Sequence, residues 1–321
     1  MKINRVAAGI DDNYLGPFLV MLYSAWKTSH TNFEVVVGYV PSNLNTASRK
    51  LIQDVTNALG IELEFVEVAI PPDVGFPAHL SPATYIRLLL ADALEETFVW
   101  LDSDLVCEEG WEQLLERQCK PGIIVCAVKD QVANIDWRQS LNSSIRNGGG
   151  DYFNSGVMVV DGKNWSKLGF DKQWRHLLAN YTEYHFQWAD QCVINFLAKN
   201  HFEPLEQKFN FQEQFQRDNS YPGAYIRHFT GGIKPWNYEH AVALIPLGPF
   251  SNKSVRLYLA HQSELRSFMR KNRMSTNGMA RMFSRQNRLT FLAIHLRKFF
   301  GQKMVYGLTV MKKVRCFFTR G

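Results

Sequence analysis

No apolar run in this chain approaches the roughly 18–20 residues that a membrane-crossing helix needs. A secretory leader is not expected either, because "INRVAAGI" is short, broken by Asn4 and Arg5, and followed at once by "DDNY". Cysteine is scarce. Cys107, Cys119, Cys126, Cys192 and Cys316 are odd in number and show no metal-type pairing, which argues against a disulfide framework and fits a reducing, cytosolic setting. No G-x-G-x-x-G follows the first strand, which counts against a dinucleotide cofactor. Acidic residues are missing altogether from Arg266 to Gly321, where 14 Lys and Arg stand unopposed.

What is present is ordinary globular material, 46% hydrophobic and 21% charged over 321 residues, enough for one large α/β domain with an appendage or for two domains. Eight Trp suit either a core or a sugar-stacking surface. The net charge of +6 conceals a division, since residues 1–265 carry −8 and the rest is strongly basic. The composition changes near residue 262, so the expected organisation is a main body over 1–262 and a basic region over 263–321.

Strand and helix patterns alternate through the first hundred residues. "RVAAGI", "EVVVGYV", "IELEFVEV" and "TFVWLDSDL" read as strands. "GPFLVMLYSAWKTS" reads as a helix, as does "SNLNTASRKLIQDVTNALG" with candidate Asn caps and a stop at Gly60. "SPATYIRLLLADAL" has Ser81 as a candidate cap and Pro82 at its first position. This order predicts an α/β fold with a mostly parallel sheet and helices on both faces. Further on, "IIVCAVKD" and "YFNSGVMVVD" read as strands, "WSKLGFDKQWRHLLANY" and "ADQCVINFLAKN" as helices, and "YIRHFTGGIKPW" as a strand entering a glycine turn.

Ligands of such sheets collect beyond the carboxyl ends of the strands, and there both acidic clusters lie. Asp102 and Asp104 end the strand "FVWL"; two like charges so close resist burial unless a cation joins them. They suit Mg²⁺ or Mn²⁺, which take one or two carboxylates plus substrate phosphates; taken alone they suit a solvated turn better. "HFTGGIKPW" offers His228 as a metal ligand, Gly231 for close approach of backbone N–H to phosphate, and Lys234 as a point charge. The alternative is a core histidine before an ordinary turn. "DDNY" places Asp11, Asp12, Asn13 and Tyr14 where a base and ribose would lie, though Asp and Asn also favour helix caps. Asn154 in "YFNSG", and Asp190 and Gln191 in "WADQ", have the hydrogen-bonding repertoire for sugar hydroxyls.

As an ordered set over residues 3–240, "AAGIDDNY", "YIRLLL", "FVWLDSDL", "YFNSGVMVV", "DQCVIN" and "HFTGGIKPW" resemble the retaining sugar-nucleotide glycosyltransferases of family 8. That group holds bacterial lipopolysaccharide galactosyl- and glucosyltransferases and the glycogenins. The resemblance implies a GT-A fold, a UDP-hexose donor and Mn²⁺ (or Mg²⁺) held by Asp102, Asp104 and His228, with Ser103 as a donor-side neighbour. It implies that Asp11 or Asp12, with Asn13 and Tyr14, contacts base and ribose, that Arg87 binds donor, and that Gly231 and Lys234 meet the diphosphate. Asp130, Asn154, Asp190 and Gln191 would fall at the sugar and reaction centre. The sequence departs from the family pattern by one extra residue before "DDNY" and by Asn237 where close relatives often have a second His.

The chemistry expected is leaving-group stabilisation with an oxocarbenium-like centre. Retention leaves two routes open, same-face attack or double displacement through Asp190. The basic region, expected to be a helical and amphipathic tail, interleaves cations with Phe, Leu, Ile and Met, the pattern of a segment lying on anionic lipid. The expected protein is thus cytoplasmic and peripheral on the inner face of the membrane, serving a glycan or glycolipid acceptor and not nucleic acid. Its rivals are a sugar nucleotidyltransferase and a nucleic-acid-binding protein acting through the basic region.

Overall fold

The computed structural model describes residues 4–74, 82–130, 152–180, 186, 188–212, 223–230, 234–236 and 252–274. The loop "RNGGG", Ser81, Gly231, Asn237 and the basic region from residue 275 lie outside the described residues.

The opening half follows the alternating pattern of the sequence. Strands β1 (Arg5–Gly9), β2 (Glu34–Tyr39), β3 (Leu63–Glu67) and β4 (Thr97–Leu101) alternate with helices α1 (Leu15–Thr28), α2 (Thr46–Leu59) and α3 (Ile86–Ala93). Asn45 caps α2 by accepting the Ser48 N–H at 2.9 Å, and Gly60 ends it at φ 70°, a conformation glycine adopts without a Cβ penalty. The proline-led segment starts differently from its pattern: Pro82–Tyr85 is a 3₁₀ turn, and α3 begins only at Ile86.

The second half completes a seven-stranded sheet of order β3-β2-β1-β4-β7-β6-β8, adding β6 (Val125–Lys129), β7 (Phe153–Asp161) and β8 (Phe202–Pro204). Only β7 runs against the rest, pairing antiparallel with both β4 and β6. Its reversal matters for position. The N-terminal residues of β7 arrive at the edge where β1, β4 and β6 end, so Asn154 stands beside Asp102 and Asp130 and not at the far side of the sheet. A register irregularity between Ala127 and Lys129 falls just before Asp130; such bulges re-aim the following side chain.

Because side chains alternate across a strand, the sheet buries two cores. Val6, Ala8, Val35 and Val37 face α1 and α2, with Phe18, Leu22 and Ile52 among their neighbours. Ala7, Val36, Trp100 and Met158 face α3 and the helices α5 (Phe170–Ala179) and α6 (Ala189–Ala198). A short helix, α4 (Gly162–Lys167), precedes α5, so the single helix expected over "WSKLGFDKQWRHLLANY" is interrupted at Leu168–Gly169.

The feature absent from the sequence pattern is a second sheet. Strands β5 (Leu105–Cys107), β9 (Phe211–Gln212) and β10 (Ile226–His228) assemble in the order β5-β10-β9. In the β5–β10 register His228 stands opposite Leu105, and the Phe229 N–H donates to the Asp104 carbonyl at 2.9 Å. This pairing carries "HFT" onto "DSD" across more than a hundred residues of chain. Helix α7 (Asn252–Lys271) packs on α1, with a Lys27–Glu264 ion pair at 2.6 Å. It runs without a break through residue 262. No described helix is long and apolar enough to cross a membrane.

Candidate active site

At the carboxyl edge, Asp102, Asp104 and His228 each present one ligand atom, all within 4.8 Å of one another. Two carboxylates and an imidazole form a donor set suited to a hard or borderline divalent ion. Strand β7 runs close behind them. A Cβ on Gly156 would sit 2.1 Å from His228 Cε1 and 2.9 Å from Asp102 Oδ2, so the cradle exists only because residue 156 has no side chain.

His228 is oriented from behind. The Asn210 amide Nδ2 donates to Asn154 Oδ1 at 2.8 Å, so its carbonyl oxygen faces His228 Nδ1 at 3.0 Å, and Nδ1 must carry the proton. That leaves Nε2 facing Asp104 Oδ1 at 3.1 Å. In the neutral ring both of those atoms are acceptors, an arrangement that a shared cation or a second ring proton reconciles. The buried hydroxyls of Ser103 and Thr230, which flank the cluster in the chain, have no hydrogen-bond partner among the described residues. Buried polar atoms are rarely left so without a ligand or water to meet them.

The carboxylates also have cations from the chain. Lys234 Nζ lies 2.5 Å from Asp104 Oδ2 and donates to the Phe229 carbonyl at 2.7 Å. Burial alone would raise the Asp104 carboxyl, but Lys234 and His228 outweigh it and hold the group well below the usual carboxylate range. Asp102 accepts from Trp100 Nε1 at 2.8 Å and pairs with Arg87 at 3.1 Å. Arg87 is the hinge of the site, since its Nε pairs with Asp190 at 2.7 Å and its Nη1 donates to the Ser155 carbonyl and hydroxyl at 2.6 and 2.7 Å. Burial would lower the Arg87 guanidinium; Asp102 and Asp190 outweigh it. For Asp190 the balance goes the other way, and burial pushes its carboxyl up to about 7 in spite of Arg87.

Beside this charged half lies a half built from amides. Asp130 Oδ2 accepts from Asn154 Nδ2 and Gln191 Nε2, both at 3.1 Å. The Gln191 carbonyl accepts from the Ser155 N–H at 3.1 Å and its hydroxyl at 3.3 Å, and its Nε2 also reaches the Tyr152 hydroxyl at 3.2 Å. Asn154 Oδ1 accepts the Gly156 N–H at 3.0 Å as well as the Asn210 amide. A continuous hydrogen-bonded path thus joins Gln191 and Asp130 to His228 through Asn154 and Asn210.

Asp11 and Asp12 follow β1 at the same edge but do different work. Asp11 is buried and accepts the N–H groups of Asn13 and Tyr14 at 2.9 and 3.1 Å. Asp12 accepts from the Asn45 amide at 2.8 Å and the Ser48 hydroxyl at 2.7 Å, which ties it to the start of α2. Tyr14 is exposed, with its ring edge-on to Trp236 at 5.9 Å, and Trp236 lies beneath Lys234.

Similarity to known proteins agrees with this geometry. The profile of Glycosyl transferase family 8 matches residues 5–240. The chain belongs to that family. Lipopolysaccharide 1,2-glucosyltransferase of Escherichia coli is 26% identical over 256 residues, 73% of each protein. General stress protein A of Bacillus subtilis is 23% identical over 74% of this chain and 88% of its own length. Among solved structures, galactosyltransferase LgtC in complex with donor and acceptor sugar analogues matches with a TM-score of 0.65 at 19% identity, covering 84% of this chain and 99% of that one. The fold of this family 8 glycosyltransferase is therefore GT-A.

Within the transferase the site candidates converge on one sheet edge, apart from Gly231, which is outside the described residues. Sequence reasoning did not find Asn210, Ser155, Trp100 or Gly156. The glycine was within reach, because "NSG" ends in a residue with no side chain at the start of an otherwise bulky buried strand.

Proposed function

We propose that this glycosyltransferase moves a hexose, galactose or glucose, from a UDP-sugar to a bacterial lipopolysaccharide, oligosaccharide or other glycan acceptor, with retention and with Mn²⁺ or Mg²⁺. The observation that carries this reading is the Asp102, Asp104 and His228 cluster fused to the amide network of Asp130, Asn154 and Gln191. A divalent ion held by the cluster would supply Lewis-acid stabilisation of the departing diphosphate.

The remaining steps belong to the chain. Lys234 lends its charge to the same diphosphate, and Gly231 offers its backbone N–H to a phosphate oxygen. Asp11, Asn13 and Tyr14 hold base and ribose, and the packing of Tyr14 against Trp236 presents a stacking face. Arg87 fixes Asp102 relative to Asp190, so the metal end and the sugar end of the donor are set by one guanidinium. Asp190 and Asn154 take sugar hydroxyls, while Asp130 and Ser155 orient the Gln191 amide. Asp190 is a poor nucleophile while its carboxyl is pushed up and tied to Arg87, which supports same-face attack assisted by the leaving phosphate over double displacement. The basic region over 263–321 holds the enzyme on an anionic membrane, at the cytoplasmic face where a lipid-linked acceptor would lie.

The test is a screen of UDP-glucose, UDP-galactose and their N-acetyl forms for metal-dependent release of UDP, with Asp104→Asn beside the parent. UDP release that disappears with chelator and falls on the order of a thousandfold in the variant is expected. Pyrophosphate release from a nucleoside triphosphate, or undiminished turnover by Asp104→Asn, would overturn the assignment.

A further inference from the structure

The four described cysteines fall into two kinds. Cys107 and Cys192 are buried, with hydroxyl partners in Ser24 and Tyr152. Burial raises both thiols, Cys192 to about 11. Such groups are inert. Cys119 and Cys126 differ. Their sulfurs lie 3.4 Å apart, with Cys119 partly exposed on the segment leading into β6 and Cys126 buried within that strand.

We propose that Cys119 and Cys126 are a reversible dithiol–disulfide site that reacts with small-molecule disulfides. A disulfide needs about 2.05 Å between sulfurs, so closure asks for little more than rotation of the two side chains. The turn between them is short, and the N–H of Ile123 already donates to the Lys120 carbonyl at 2.9 Å, which holds the ends of the loop together. Access is divided as exchange requires. Cys119 can meet a small reagent, while Cys126 is buried in the sheet between Val159 of β7 and Glu203 of β8 and faces the Cys119 sulfur.

The surroundings bear on the second step. Arg117 and Lys120 converge on Glu203 at 2.5 and 2.8 Å beside the pair. The Cys119 S–H and the Arg117 guanidinium hold the Cys126 thiol below its ordinary value, while the same sulfur contact raises Cys119. The electrostatics thus favour Cys126 as the attacking sulfur of the second step, while the first step rests on the access of Cys119.

The step balances with a disulfide RSSR as oxidant. Cys119 sulfur attacks one sulfur of RSSR, the R–S–S–R bond breaks, and RSH leaves with the Cys119 thiol hydrogen. Cys126 sulfur then attacks Cys119, displaces the second RSH with its own hydrogen, and the Cys119–Cys126 bond forms. Two electrons pass from the protein thiols to RSSR. The bond would clasp the turn onto the strand whose far end delivers Asp130, a site separate from the metal cluster.

The experiment incubates the folded, full-length protein with oxidised glutathione, blocks free thiols and digests with trypsin. Residues 118–129 stay in one peptide, because Lys120 precedes Pro121 and resists cleavage. The expected result is that most of this peptide is unblocked and lighter by two hydrogens, returns to two blocked thiols after dithiothreitol, and that Cys107 and Cys192 react only after unfolding. Cys126→Ser should instead stop at a stable glutathione adduct on Cys119. Two separately blocked thiols in the parent, or a lasting glutathione adduct there, would overturn the proposal.

Discussion

The two halves of the site are held in opposite ways. The half at Asp102, Asp104 and His228 is charged, and each carboxylate is met directly by a cation, Arg87 or Lys234. The half at Asp130, Asn154 and Gln191 is an amide lattice in which one carboxylate is shared by two side-chain amides. Charges tolerate small displacements, because Coulomb attraction falls slowly with distance, whereas hydrogen bonds weaken steeply when bent. The contrast suits a diphosphate, which needs neutralising, beside a sugar, which needs orienting. Asn210 is the joint, since it bonds Asn154 on one side and His228 on the other.

The sharpest break of this arrangement is Gly156→Ala. The new methyl would meet His228 Cε1 at 2.1 Å, so the imidazole must leave its place. Loss of UDP release on the order of a hundredfold or more is expected, because misplacement by about 1 Å costs that much. Near-parental turnover would show that His228 need not stand where it does. Asn210→Ala comes next. It removes the partner that fixes the ring tautomer, and metal affinity should fall roughly 10–100-fold while the amide half persists, as isothermal titration with Mn²⁺ would report.

A pH profile separates the halves further. Burial raises Asp190, so its carboxylate form appears only as the pH climbs through about 7. With that form needed by the donor sugar, kcat/KM should rise with pH to a plateau and stand about tenfold lower one unit below the midpoint; Asp190→Asn should give a low, flat profile. Stability runs the other way from activity: the raised pKa favours the fold below the usual value of 3.8 and withdraws that support as the pH rises through 7. The smallest effect belongs far from either half. Lys27 and Glu264 are both exposed, so Lys27→Met should change thermal stability by less than about 1 kcal/mol and leave turnover intact.

Much of the frame was legible in the chain. Alternating strands and helices announced the sheet, and a site at its carboxyl edge followed from topology before any geometry was seen. Asp102 and Asp104 alone did not point to a cation site, because a carboxylate pair ending a strand fits a solvated turn better than an ion. Their partner His228 arrives through β5–β10 pairing, a contact between short strands that no local pattern encodes. Asn210 was invisible for the same reason. It follows a 3₁₀ turn at Gln207–Phe209 and acts only on residues distant in sequence. The break between α4 and α5 went unseen because apolar spacing continues across Leu168–Gly169.

The central claim is that Asp102, Asp104 and His228 are one divalent-ion site that receives a nucleotide diphosphate. Titrating Mn²⁺ into the purified protein with and without UDP, and following free Mn²⁺ by electron paramagnetic resonance, tests it directly. The account predicts one Mn²⁺ per chain bound more tightly with UDP present, and loss of that binding in Asp104→Asn. Equal Mn²⁺ uptake by parent and variant, or uptake indifferent to UDP, would contradict it.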